Sequence, residues 1–364
     1  MTSMTTTSGP VTSGLMTGGV DTHGETHHAA VIDQVGRHLA DREFPTTPAG
    51  YRALSRWLGS HGGVLQRVGV EGTGAYGAAL TRHLRAEQIS VVEVDRPDRR
   101  ARRAKGKSDP LDAYAAARAA LSGTASGTPK LRDGQVEAIR ALRVVRRSAV
   151  KGRTQTMNQL RALLLTGPAE LREQLRSLSP TVLITTCARL RPTAELADPE
   201  QAVKAAVRRL ARRHQQLTEE VRDADADLAP LVAAAGPRLL ALQGVGVDVA
   251  GQLLSSAGDN PQRLHSEAAF AHLCGVAPIP ASSGRTHRHR LNRGGDRAAN
   301  NALHIIALSR LRYDPRTAAY VAKRTKDGLN KKEIIRCLKR YIAREIYTAL
   351  QPAPAVTEAL ASAA

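Results

Sequence analysis

Strand-type and helix-type patterns alternate along the first third of this 364-residue chain, and this alternation is the strongest constraint on its fold. Residues 15–36 combine two apolar runs with a glycine-containing turn, which predicts a β-hairpin. TPAGYRALSRWL then predicts a helix closed by glycine, VLQRVGVEG a strand, AYGAALTRHLRAEQ a helix and ISVVEVD another strand. Alternating strands and helices are typical of an α/β domain, which we place at residues 15–130.

From about residue 133 the pattern becomes helical. Residues 134–165 contain few helix breakers, and a second helix is predicted from about 199 to 229. In the second helix, apolar residues recur at spacings of four and three over three to four heptads. This pattern predicts a coiled-coil hairpin or dimer arm within residues 131–235. The seam positions are Val203, Val207, Leu210, His214, Leu217, Val221, Ala224 and Leu228, and His214 is the polar one.

The remainder of the chain predicts an all-α C-terminal domain at residues 236–350. Within it, LLALQGVGVDVAGQLLSSAGD at 239–259 has the helix–turn–helix pattern of a helix-hairpin-helix, whose turn presents backbone N–H groups to phosphates. An ordinary helical turn explains the same residues equally well. Residues 1–14 lack the basic start and apolar stretch of a signal peptide, and we expect them to be a disordered lead-in. We expect residues 351–364 to be a frayed tail.

The charge balance points to polyanionic partners. Lys and Arg number 53 against 33 Asp and Glu, a formal net charge of +20, and nucleic acid is the commonest partner of such a chain. No apolar run approaches the roughly 18 residues that span a bilayer, so we expect no membrane insertion. Only 3% of residues are aromatic, which favours phosphate contacts over base stacking. Cys187, Cys274 and Cys337 form no CxxC pair and are expected to be reduced thiols in a cytoplasmic, nucleoid-associated protein.

A basic segment precedes a pair of aspartates. The sequence RPDRRARRAKGK at 96–107 is followed by SDPLDA, in which Asp109 and Asp112 are three residues apart and so share a helix face. Pro110 suits the first turn of a helix, so Asp109 can also be interpreted as a helix cap. We expect the basic segment to contact RNA or DNA through Arg99, Arg100, Arg102, Arg103, Lys105 and Lys107.

Further carboxylates stand at predicted strand ends. Asp21 ends the first strand and Glu71 a later one, and together with the two aspartates they can converge to bind two Mg²⁺ ions. Two such ions about 4 Å apart support phosphodiester chemistry by activating the attacking oxygen and stabilising the leaving one. Asp33 and Asp95 are also strand-end acids, which we interpret as structural or solvated.

The motifs VDTHGETH, GVEGTGAY and KSDPLDA resemble those of the DEDD-type insertion-sequence transposases, the insertion-sequence-110 family. The resemblance implies a RuvC-like domain of the RNase H type. It also implies that Asp21, Glu71, Asp109 and Asp112 are catalytic Mg²⁺ ligands.

Residues 269–308 are similar to the C-terminal domain of the same family, in which Gly-x-x-Pro precedes Ser-Gly, a basic stretch and a glycine pair. The resemblance implies that Ser283 is the nucleophile that links covalently to DNA, and the Ser-Gly match favours Ser283 over Ser282. Asp296 and Ala298 make the segment after the glycine pair less basic than is usual in the family. Phosphate contacts near the serine are expected from Arg285, Arg288, Arg290 and Arg293.

The resemblance therefore implies a transposase or recombinase that cuts and rejoins DNA for mobile-element transposition. It also implies an element-encoded noncoding guide RNA, and a dimer or tetramer in which the heptad seam is the interface and the serine can come from another subunit. Two alternatives remain open on the residues alone. One is a RuvC-like nuclease of the Holliday-junction type without serine chemistry, and the other is a non-catalytic nucleic-acid-binding protein.

Overall fold

The fold is taken from a computed structural model, which describes residues 14–94, 108–285 and 289–352. Several predicted features lie outside these ranges. They are nearly all of the N-terminal lead-in, the basic segment with its six predicted nucleic-acid contacts, Asp95, Arg288 and most of the C-terminal tail. The chain divides into two compact units: one takes in the residues up to Gly134 together with Gly258–Arg263, and the other Gln135–Ala257 and the residues from Leu264 onward.

The first unit is built on a mixed sheet that has five strands in the described residues, in the order β3-β2-β1-β4-β5. Strands β1, β2 and β3 are antiparallel neighbours, whereas β4 runs parallel to β1 and β5 parallel to β4. Met16, Val20, Val68 and Val70 contribute to a core on one face of the sheet. The elements are β1 (Leu15–Thr22), β2 (Thr26–Asp33), β3 (His38–Pro45), α1 (Pro48–Leu58), β4 (Val64–Glu71), α2 (Ala78–Ala86), β5 (Val91–Val94) and α3 (Asp109–Leu121).

The α/β prediction for this region is confirmed, including the first hairpin and the helix closed by Gly59. Strand β3 was not predicted. Asp33 has the structural role expected of it, because its side chain accepts hydrogen bonds from the backbone N–H groups of Val35 and Arg37 in the β2–β3 turn.

The second unit is mainly helical, as predicted. Its helices are α4 (Gln135–Thr166), α5 (Ala169–Leu175), α6 (Pro180–Ala188), α7 (Pro199–Ala235), α8 (Pro237–Leu240), α9 (Val247–Ala257), α10 (Glu267–Leu273), α11 (Arg297–Tyr313), α12 (Pro315–Lys326) and α13 (Lys331–Leu350). The expectation of an all-α C-terminal domain is wrong in one respect. Ile279–Pro280 (β6) and His289–Arg290 (β7) pair as a short antiparallel hairpin.

Helices α4 and α7 pack side by side along much of their length. The predicted seam of α7 is buried or half-buried, and Leu217 lies against Gly152 of α4, so part of the seam is covered within the chain. Burial and the positive charge of Arg153 lower the pKa of His214 in this seam. Helix α7 continues through Pro230 to Ala235, beyond the predicted end at 229. A coiled-coil arm between subunits stays a prediction, as does the division of the helical part at residue 235.

The C-terminal helices enclose a core that includes Leu239, Leu253, Phe270 and Leu303. Helix α8 has only four residues and is joined to α9 by a turn in which Gly244 has a φ of 82°. The assignment of this turn as a helix-hairpin-helix stays a prediction. All three cysteines are free thiols, and in the described residues no helix is long and apolar enough to cross a membrane.

Candidate active site

Two of the predicted site residues stand at the ends of adjacent parallel strands. Asp21 is the penultimate residue of β1 and Glu71 the last residue of β4, and the two strands pair Gly19 with Gly69. Successive side chains of a strand point to opposite faces, so Asp21 and Glu71 share the face of these glycines. The Thr22 hydroxyl donates a hydrogen bond of 2.9 Å to the Glu71 carbonyl oxygen and holds the two strand ends together.

Helix α3 crosses this same face at very short range. A Cβ atom on Gly69 would lie 2.5 Å from the carbonyl oxygen of Ala116 and 3.0 Å from the Cβ of Ala120. Glycine on the sheet and alanine on the helix therefore let the two backbones approach more closely than larger side chains would allow. This packing carries the start of α3 to the sheet edge where Asp21 and Glu71 lie.

The start of α3 presents the other two carboxylates. Ser108 occupies the N-cap, and Asp109, Pro110 and Asp112 follow in the first turn. Asp109 is thus not the cap residue, which removes the simplest structural explanation for its carboxylate. Asp112 is buried, with 4% of its surface exposed, whereas Asp109 is half-buried.

A histidine that was not among the predicted site residues joins the cluster. The Nε2 atom of His23 lies 3.1 Å from Asp21 Oδ2 and 3.4 Å from Asp109 Oδ1. One ligand atom from each of the three residues lies within 4.8 Å of the others, a spacing at which they could share a metal ion. The motif VDTH contained the signal, because residues two apart at a strand end share a face.

The structure therefore brings Asp21 and Asp109 together, with His23 between them. In the described residues, Glu71 and Asp112 are not part of this three-residue group. Carboxylate oxygens suit a hard divalent ion such as Mg²⁺, and an added imidazole nitrogen also suits Mn²⁺ and later transition metals. The donor set thus fits a divalent cation.

The turn after Glu71 is fixed from several sides. Gly72 has a φ of 69°, and a Cβ there would lie 2.9 Å from the Thr22 hydroxyl. The buried Thr73 donates a 2.7 Å hydrogen bond to Glu93, whose other carboxylate oxygen lies 3.3 Å from the Arg263 guanidinium. These contacts hold residues 71–73 in a defined position at the sheet edge.

Ser283 lies in the second unit, in the loop that joins β6 to β7. Ser282 and Ser283 are both exposed, as is Arg285, and Gly284 follows with a φ of 53°. The exposed hydroxyls are accessible to a polymeric substrate. The structure does not distinguish the two serines, so the preference for Ser283 stays a prediction.

The backbone conformation of the segment after the hairpin requires a glycine at position 295. Gly295 has a φ of 84°, and a Cβ there would lie 2.6 Å from both the Gly275 nitrogen and the Leu273 carbonyl oxygen. Asp296 is the N-cap of α11 and accepts hydrogen bonds from the backbone N–H groups of Ala298 and Ala299 at 2.8 and 3.1 Å. Asp296 makes this segment less basic than is usual in the family, and its structural role is to cap helix α11.

A mixed sheet with carboxylates at the ends of its parallel strands, in a strongly basic chain, is consistent with an enzyme that acts on nucleic-acid phosphodiesters. Residues 18–167 match the DEDD-type IS110 transposase model, and residues 236–322 match the model described as the transposase IS116/IS110/IS902 family. The chain belongs to the IS110 family of insertion-sequence transposases. No curated protein gives a significant match to it.

Proposed function

We propose that this transposase cuts and rejoins DNA strands through a divalent-metal site in an RNase H-like first unit and a covalent link to Ser283. The observation that carries the proposal is the convergence of Asp21 and Asp109 on His23 at the sheet edge. The strand order, in which three antiparallel strands adjoin two parallel ones, supports the RNase H-like assignment.

The proposed metal ligands are Asp21, Glu71, Asp109 and Asp112, with His23 as a further candidate ligand, and the proposed ions are two Mg²⁺. Four carboxylates at one edge repel each other, so they favour binding of divalent cations. Such ions, when bound, supply Lewis-acid activation of a phosphodiester and neutralise developing charge. The chain's own contribution is to hold the ligands in place through the strand ends and the close packing of α3.

In the proposed strand transfer, the Ser283 Oγ forms a bond to the scissile phosphorus while the bond from phosphorus to the leaving sugar oxygen breaks. The hydroxyl proton is released to solvent, and the leaving oxygen takes up a proton. The reverse transfer rejoins the strand to a new sugar hydroxyl. Since one phosphodiester replaces another in each step, rejoining needs no nucleotide hydrolysis.

The proposed partners are DNA at the element ends and target, an element-encoded noncoding RNA, and further copies of the chain as a dimer or tetramer. The net charge of +20 supports binding to nucleic acid. Arg285, Arg290 and Arg293 are exposed around the serine loop and support phosphate contacts there. The serine and the carboxylates of one reaction can come from different subunits.

Strand cleavage with labelled element-end DNA, in the presence of Mg²⁺ and RNA from the element's own flanks, tests the metal half of the proposal. Asp109→Asn should abolish cleavage, and chelation should abolish it in the wild type. Glu43→Gln removes an exposed carboxylate from the same unit and should leave cleavage unchanged. Full cleavage by Asp109→Asn would contradict the proposal, and cleavage that survives Ser283→Ala would favour a junction nuclease.

A further inference from the structure

The second unit contains an open-sided cavity of about 560 Å³ beside the serine hairpin. One wall is β7 with the turn that follows it, and the other is helix α13. We call it the hairpin pocket; its lining includes Pro278, Arg290, Leu291, Arg297, Lys339 and Tyr341. Its volume falls within the range of roughly 300–1,000 Å³ that is usual for small-ligand sites.

The described lining of the pocket is strongly cationic. Six Lys and Arg side chains face a single carboxylate, that of Glu333. Glu333 is already used at the start of α13, where it accepts a 3.0 Å hydrogen bond from the Asn330 backbone N–H and lies 3.7 Å from the Arg336 guanidinium. Arg340 is paired with Glu267. The other cations of the lining are Arg290, Arg293, Arg297 and Lys339, so the pocket favours an anion.

Lys339 is the most informative of these cations. It is half-buried, and in the described part of the chain its ammonium group donates to the neutral Asn300 Oδ1 and pairs with no carboxylate. The Asn300 amide nitrogen donates a 2.7 Å hydrogen bond to the Cys274 carbonyl oxygen. This bond orients the Asn300 amide so that its oxygen points toward Lys339. Burial lowers the pKa of Lys339. A desolvated cation with a neutral partner gains stability when an anion enters the site.

The pocket also has an apolar side. Tyr341 is 51% exposed and Leu291 is 53% exposed, although both are large side chains. Val276, Ala277 and Leu329 line the same cavity. An aromatic ring and aliphatic groups beside a cluster of cations match the two halves of a nucleotide, since a base stacks on apolar surface while its phosphate pairs with cations.

We propose that the hairpin pocket binds one unpaired nucleotide of the DNA strand that Ser283 attacks, with its base against Tyr341 and Leu291 and its phosphate at Lys339 and Arg297. A strand running from the serine loop along β7 enters the pocket directly, because His289 and Arg290 both belong to β7 and line the cavity. The choice of this particular strand rests on the proposed function, whereas the binding of an unpaired nucleotide does not.

The test measures binding without chemistry. Full-length Ser283→Ala, in EDTA, is titrated with a fluorescent single-stranded DNA 12-mer and with the same oligonucleotide carrying abasic sites. Lys339→Gln should weaken binding about tenfold and reduce the logarithmic salt slope by about 0.7. Lys332→Gln removes an equal charge from the exposed first turn of α13, outside the pocket, and should weaken binding less than twofold.

The base-binding half is tested with Tyr341→Leu. The parent protein should prefer the intact oligonucleotide over the abasic one by about five- to a hundredfold, the range expected for stacking of one base, and Tyr341→Leu should remove most of that preference. If Lys339→Gln lowers the melting temperature, Arg297→Gln replaces it, because Arg297 is exposed and is the other proposed phosphate partner.

Equal effects of Lys339→Gln and Lys332→Gln, or no preference for the intact bases, would overturn the pocket assignment. Tighter, base-dependent binding of a matched RNA 12-mer would overturn the choice of DNA. Failure of the proposed function is a separate result. In that case the pocket variants behave as predicted, but no Ser283–DNA adduct forms in the catalytic reaction.

Discussion

Gly19 of β1 lies against the backbone of α3 at Ala113, so closely that a Cβ on Gly19 would be 2.1 Å from the Ala113 carbonyl oxygen. The same atom would be 2.3 Å from the Ala117 nitrogen. This contact fixes the distance between the strand that carries Asp21 and the helix that carries Asp109. The geometry of the candidate metal site therefore depends on a residue that has no functional group.

Gly19→Ala should lower the free energy of unfolding by about 1–3 kcal/mol, because α3 must move away from the sheet to admit the methyl group. Urea denaturation measures the change. Gly59→Ala is the matched control, since a Cβ there would meet no atom closer than 3.7 Å. A Gly19→Ala protein as stable as the Gly59→Ala protein would contradict the packing described.

Metal binding should depend on the three clustered ligands. Asp21→Asn should weaken Mn²⁺ binding by about tenfold or more, and His23→Ala should weaken Mn²⁺ binding more than Mg²⁺ binding, because Mg²⁺ prefers oxygen ligands. Mn²⁺ electron paramagnetic resonance and calorimetric titration with Mg²⁺ make the comparison. The role of His23 as a ligand is refuted if its removal changes neither affinity.

His27 should make the first unit less stable in mild acid. Its ring is fully buried and stacks beside Tyr51. Burial lowers its pKa below the ordinary 6.5, so the unfolded chain binds a proton more readily than the folded one. Stability is therefore retained above about pH 6.5 and falls below it, by at most about 1.4 kcal/mol per pH unit.

Urea unfolding between pH 5 and pH 8 measures this dependence. His27→Leu should flatten the fall below pH 6.5, because the titrating group is removed while an apolar side chain fills the site. An unchanged slope in His27→Leu would show that other groups cause the acid sensitivity.

Asp296→Ala should lower the free energy of unfolding by about 1 kcal/mol, since two backbone N–H groups at the start of α11 lose their acceptor. Asp296→Asn can keep the cap and should recover most of this loss. Thermal unfolding of both variants measures the difference in stability. Equal destabilisation by Asn and Ala would indicate that the second carboxylate oxygen, which accepts a 2.6 Å hydrogen bond from the Ser256 hydroxyl, matters more than the cap.

The sequence predicted the features that depend on local patterns. The hairpin of β1 and β2, the strand that ends at Glu71 and the long helix α4 follow from apolar periodicity over eight or more residues. Strand β3 was missed because most of its side chains are exposed, so it lacks the alternation of a half-buried strand. The two-residue strands β6 and β7 are too short to produce any pattern.

The candidate site was predictable in part for the same reason. Strand ends and the helix start marked Asp21, Glu71, Asp109 and Asp112. The two-residue spacing of Asp21 and His23 could have indicated their shared face, but no sequence pattern indicated that His23 also reaches Asp109. The position of His23 between the two aspartates depends on how closely α3 approaches β1. This distance is set by the packing of glycine against alanine, which the sequence pattern does not reveal. From the sequence, Asp296 was noted only for its negative charge. The structure shows that its side chain caps α11 by accepting backbone hydrogen bonds.

The most direct test of the central claim is to trap a covalent protein–DNA adduct. Labelled element-end and target DNA, Mg²⁺ and the element's own RNA are incubated with the wild type, Ser283→Ala, Ser282→Ala and Asp109→Asn. The products are resolved on a denaturing gel, and the linked residue is identified by peptide mass spectrometry. The account predicts an adduct at Ser283 in the wild type and in Ser282→Ala, and none in Ser283→Ala or Asp109→Asn. DNA cleavage without an adduct, unchanged in Ser283→Ala, would contradict it.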